Sequence, residues 1–151
     1  MTGTTAPAPL RWGKALVNGL LAWILGFVIY MIPSVVVAFK MAFELGPQGV
    51  ESSMISSQIS QTISQMYRES IWLSIGYAAV IALLVYWRAR VVARGTGTQR
   101  VAHGLLVAAI PVLLSLLSAA VIHLELASFV DAAIFCLAGY IGGRTAKETL
   151  S

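Results

Sequence analysis

Residues 15–39 read ALVNGLLAWILGFVIYMIPSVVVAF, a run without a single charged side chain. Crossing a ~30 Å hydrocarbon core takes about 20 apolar residues in a helix. The core of a cleaved signal peptide is shorter, about 7–15 residues. The run therefore predicts a retained transmembrane helix. Three more apolar runs follow, at residues 70–87, 101–122 and 124–143, the last of them carrying Glu125 and Asp131. Residues 1–14, with MTGTTAPAPL at their start, read as a disordered cytoplasmic tail. Residues 15–147 form the membrane domain. The expected fold class is an all-α membrane protein with four spans and both termini inside.

Composition agrees. Only 11% of residues are charged, against about a quarter in a soluble domain. The charges sit at the ends of the apolar runs, so the net +4 reflects topology and gives no sign of nucleic-acid binding. Eight basic residues fall on one side: Arg11, Lys14, Arg88, Arg90, Arg94, Arg100, Arg144 and Lys147. Lys40 and Arg68 fall on the other. Basic residues near span ends mark the cytoplasmic face. Glu44, Glu51, Glu69, Glu125 and Asp131 lie in or beside the outer loops. Trp12, Trp72, Tyr86 and Trp87 stand near the interfaces, as an aromatic belt requires.

Between spans one and two, Gly46, Pro47, Gln48 and Gly49 signal a turn. The following segment places Ile55, Ile59, Ile63, Met66 and Tyr67 on one helical face among Ser, Gln and Thr. An amphipathic outer helix over residues 50–69 is expected. It lacks the basic face of a membrane-binding helix. Packing on its own protein or a partner subunit is one reading, and contact with lipid the other.

Lipid tails are as apolar as Leu, so membrane helices associate through small residues and polar contacts. At 100° per residue, Ala15, Asn18, Gly19, Ala22, Gly26 and Pro33 share one face of span one. Gly104, Ala108, Pro111, Ser115, Ser118 and Ala119 share one face of span three. Ser128, Asp131, Ala132, Ala138, Gly139, Gly142 and Gly143 share one face of span four, where Gly139 and Gly143 form a Gly-x-x-x-Gly pair. Helix packing is thus expected at Gly19, Ala22, Gly26, Gly139 and Gly143. Span two shows no such focus and is expected to face lipid more. Pro33 and Pro111 each remove a backbone donor and should bend their helices.

Asp131 is the sharpest polar residue. It lies 13 residues before Arg144, about 20 Å along a helix, and so about 10 Å below the outer surface of the hydrocarbon core. Intramembrane carboxylates are costly and face a partner or a cavity. Ser115 and Ser118 share its height and are candidate donors to it. A structural hydrogen bond, a helix cap, and a proton or ion site all remain open. His123 and Glu125 near Asp131 have ligand chemistry but no defining spacing, so no metal site is assigned. His103 lies 20 residues from His123, about 30 Å along a helix, which rules out a shared haem within one chain. Arg88, Arg90, Arg94 and Arg100 form a basic inner loop suited to anionic lipid or an acidic partner, with Gly95, Thr96, Gly97 and Thr98 as a flexible tip. It has no phosphate-cradling spacing.

Other chemistry is missing. Cys136 is the single cysteine, so no disulfide or Cys-x-x-Cys pair forms within the chain. Gly-x-Ser-x-Gly and His-Glu-x-x-His do not occur. Span one carries no carboxylate of the kind a small multidrug exporter needs. No enzyme activity and no cofactor are expected.

Span two, the basic loop, HGLLVA at residues 103–108 and LAGYIGG at 137–143 followed by Arg144 together resemble small four-span bacterial membrane proteins of uncharacterised function. The resemblance covers residues 71–147. It implies a bacterial cytoplasmic membrane protein and carries over no functional residue. The expected role is a non-catalytic membrane subunit, meeting membrane lipid and either a protein partner or itself. The alternative is a small proton, ion or solute transport component using Asp131.

Overall fold

The structure is a computed structural model describing residues 10–122 and 126–146, with side chains for 10–117 and 128–146. Every element among the described residues is helical: α1 (Trp12–Leu45), α2 (Ser52–Glu69), α3 (Ile71–Ala93), α4 (Arg100–Ile122) and α5 (Leu126–Arg144). Short 3₁₀ turns occupy Gly46–Gln48 and Gly97–Gln99. Three segments are long and apolar enough to cross a membrane: Trp12–Gln48, Ile71–Ala93 and Gly97–Leu117. The fourth expected span overlaps α5, a helix of 19 residues.

The helices outrun the hydropathy signal at particular places. α1 starts at Trp12, inside the expected tail, and continues six residues past Phe39. Hydropathy reports the thickness of hydrocarbon, whereas a helix continues for as long as its backbone bonds do. The exposed Lys40–Glu44 pair, 3.9 Å apart and one turn separated, belongs to this extension. α3 likewise runs on to Ala93, because Ala89, Val92 and Ala93 are buried beyond the first arginine. The expected tail at residues 1–9 lies outside the described residues.

The chain forms two compact units. One takes the chain up to Gly26 and from Ala78 onward; the other is Phe27–Tyr77. In the four-helix unit, Ala15, Ala89, Val92 and Val107 make a buried apolar cluster with Leu106 against it. Phe135, Ile81, Val85 and Val107 are among its largest fully buried side chains. α3 therefore supplies a full inner face through Ala78, Ile81, Val85, Ala89 and Val92. The sequence marked no packing face on this span, and by the share of the span that is buried it matches α1 and falls below α4. An inward Val or Ile and a lipid-facing one are the same residue type, so that face carries no contrast to read.

The loop between α3 and α4, read from the sequence as a flexible tip, forms a tight turn. Thr96 is buried, and its hydroxyl donates to the Ala93 carbonyl at 2.7 Å. Gly95 and Gly97 on either side take positive φ angles of 72° and 55°, which glycine adopts without steric cost.

The Phe27–Tyr77 unit is a helical hairpin. Its turn ends at Gly49, whose φ of 70° caps the 3₁₀ turn in the left-handed region. The Tyr67 hydroxyl lies 2.6 Å from Ser34 Oγ and donates to the Tyr30 carbonyl at 2.8 Å. The Tyr30 ring centroid lies 4.7 Å from those of both Tyr67 and Tyr77. Tyr67 is near the end of α2, and Ser34 and Tyr30 lie well before the end of α1. The two helices therefore run antiparallel. The α2 stripe of Ile55, Ile59, Ile63, Met66 and Tyr67 is half-buried, and its Ser and Gln residues are exposed.

Candidate functional site

The small-residue faces meet inside the four-helix unit. A Cβ on Gly139 would lie 2.6 Å from the Gly104 carbonyl and 2.8 Å from Ala108 Cβ. One on Gly104 would strike the Gly139 carbonyl. One on Gly143 would lie 2.5 Å from the Arg100 carbonyl. Backbones in this contact leave no room for a side chain, and such closeness is what holds helices together where no hydrophobic force acts between them. Gly142 faces Tyr86 and Ala89 of α3 in the same way, Gly19 faces Val107, and Gly26 faces Ile81. Ala22 is fully buried. The unit thus pairs α1 with α3, α3 with α5, α5 with α4 and α4 with α1.

Those contacts bring the basic residues to one end. Arg100 Nη1 donates to the Ala146 carbonyl at 2.9 Å, and its Nε donates to the Gly97 carbonyl at 2.9 Å. The Arg11 backbone N–H donates to His103 Nε2 at 3.1 Å. Because Nε2 accepts, Nδ1 carries the proton and donates to the Gln99 carbonyl at 2.9 Å. His103 is fully buried, and both of its ring nitrogens are engaged in fixing the start of α1 against α4. Arg88 Nη1 donates to Asn18 Oδ1 at 3.4 Å, and its guanidinium lies 5.0 Å from the centre of the Trp87 ring. Arg90 Nη1 donates to the Tyr86 hydroxyl at 3.5 Å. The Nε atoms of Arg88 and Arg90 are buried without a hydrogen-bond partner. Arg94 is exposed. Trp12 and Trp87 stand exposed at this end.

Asp131 is half-buried on α5. Ser115 Oγ, one of the two candidate donors, donates to the Ser128 carbonyl at 3.3 Å, one turn from Asp131. Ser118's side chain, His123 and Glu125 lie outside the described side chains. No group of three His, Cys, Asp or Glu comes together among the described residues.

Sequence reasoning missed three structural residues. The His103–Arg11 bond joins positions 92 apart through a backbone donor, which no side-chain pattern reveals. Phe135 is buried on the small-residue side of α5. The Tyr67 contacts had a signal, since its hydroxyl sits on an otherwise apolar stripe and must find a partner when covered.

No protein-family model matches the chain, and neither the curated proteins nor the solved structures include a match.

Proposed function

We propose that the protein is a non-catalytic subunit of a bacterial cytoplasmic membrane. Its four spans are α1, α3, α4 and α5, and both termini face the cytoplasm. The observation that carries this reading is how the glycine faces are used. Gly19, Gly26, Gly104, Gly139, Gly142 and Gly143 all face neighbouring helices of the same chain, so they close the protein on itself. The surface that remains for another molecule is the Phe27–Tyr77 hairpin, where α2 presents exposed Ser and Gln residues that lipid cannot satisfy. The collection of Arg11, Arg88, Arg90, Arg94, Arg100 and Arg144 toward one end supports the orientation. The exposed Arg94 at this end suits the phosphates of anionic lipid headgroups.

Purification from native membranes in mild detergent tests the subunit reading. A stoichiometric assembly, with a partner or with further copies, is the expected result. The transport reading rests on Asp131, which is half-buried. Proton or cation flux in liposomes that disappears in Asp131→Asn would replace the subunit reading with that one.

A further inference from the structure

The exposed face of α2 carries a second pattern besides the half-buried stripe. Met54, Gln58, Gln61, Gln65 and Arg68 recur at alternating intervals of four and three, and all are exposed. This spacing draws a seam along one side of a helix, the spacing by which two helices meet in a coiled coil. Met54 is an apolar side chain 58% exposed at the start of the seam. Toward its end, Ser60, Gln61, Ser64, Gln65, Arg68 and Glu69 line an open groove of about 520 Å³.

We propose that this seam is a contact between two copies of the chain, with the two α2 helices side by side and parallel. The direction follows from the membrane. Two copies inserted in the same orientation are related by a two-fold axis along the membrane normal. α2 runs back along α1, a membrane-spanning helix, so the axis relates one α2 to the other in parallel.

The residues suit such a partner. A two-fold interface brings each seam residue to its own counterpart, and a Gln side chain both donates and accepts, so Gln58, Gln61 and Gln65 can each bond their own copies. A polar residue in such a seam fixes register and oligomer state at some cost in stability. Arg68 is followed by Glu69, which flanks the seam, so a parallel pair sets the Arg68 of one copy beside the Glu69 of the other, twice. Gln65 Nε2 already donates to Glu69 Oε1 at 2.8 Å, which holds that carboxylate at the seam. Arg68 and Glu51 are in no ion pair among the described residues. The charges at this end are therefore complementary to a second copy of themselves. The inference rests on the membrane-subunit reading and adds the identity of one partner.

The test is disulfide trapping in intact membranes, in a Cys136→Ser background with single cysteines along α2. A disulfide needs Cβ atoms about 4 Å apart, so Gln58→Cys, Gln61→Cys and Gln65→Cys should each give roughly tenfold more covalent dimer than Ser52→Cys or Ser56→Cys. Arg68→Glu should lower trapping at Gln61→Cys, and adding Glu69→Arg should restore it. Even trapping at all five positions, no trapping at any, or no rescue by the charge swap would overturn the proposal. Trapping between Gln58→Cys and Gln61→Cys chains when mixed, but at neither alone, would overturn the parallel direction. A different protein copurifying in the absence of any trapped dimer would overturn this inference and leave the subunit reading intact. Asp131-dependent flux would overturn the subunit reading itself.

Discussion

The glycines of the two units meet different surroundings. In the four-helix unit, Gly104, Gly139, Gly142 and Gly143 lie against neighbouring backbone. In the hairpin unit, a Cβ on Gly46, Gly49 or Gly76 would meet nothing within 4 Å, as at Gly13 and Gly97 outside the helix contacts of the four-helix unit, although the φ of 70° at Gly49 strains any side chain there. One unit uses glycine to remove bulk where helices touch. The other uses it for chain direction, as at Gly49, or has no packing need of it. Their polar groups differ as well. The four-helix unit engages His103 and Thr96 internally, while the hairpin leaves a row of Gln side chains exposed. One region is built for contact within the chain, and the other is open to contact beyond it.

The sharpest way to break this comparison is the smallest side chain. Gly139→Ala puts a methyl into the Gly104 carbonyl and should cost about 1–3 kcal/mol, as overpacking does. Gly139→Leu and Gly143→Leu should cost more. Gly76→Ala meets nothing and should be neutral or stabilise by up to about 1 kcal/mol through helix propensity. Thermal unfolding in detergent measures all four. Equal effects at Gly139 and Gly76 would erase the distinction between the units.

Next in size is Tyr67→Phe. It keeps the ring against Tyr30 and loses the bonds to Ser34 and the Tyr30 carbonyl, worth about 1 kcal/mol each. Hydrogen exchange should quicken in α2 and stay level in α4 and α5. Acceleration spread over all the helices would show that the hairpin is not a separate unit of stability.

The face assignments were legible where residue size gave contrast. Gly104, Ala108, Gly139 and Gly143 stand out among Leu, Ile and Phe, and the structure places them in contact. α3 gave no such contrast, because Ile81 and Val85 look alike whether they meet protein or lipid. The ends of α1 and α3 were hidden for a different reason, since hydropathy stops at Lys40 and Arg88 while the backbone ladder does not. The partner of Ser115 was hidden too. The helical register placed Ser115 level with α5, but it could not choose between the Asp131 carboxylate and the Ser128 carbonyl that the hydroxyl meets.

Asp131→Asn should have the smallest effect. Asn keeps the shape and hydrogen-bonding capacity of the side chain and removes a charge that is costly to hold in hydrocarbon. The thermal midpoint should stay level or rise. A fall would show that the carboxylate supports the fold through a partner that Asn cannot serve.

Membrane topology is measured by reporter fusions at Gln58 and Ser151. A Gln58 fusion active on the outer side, with a Ser151 fusion active in the cytoplasm, is the predicted result, because four spans return the chain to the side where Arg11, Arg100 and Arg144 gather. A Ser151 fusion reading outside would mean an odd number of crossings. It would contradict both the four-span reading and the orientation of the hairpin.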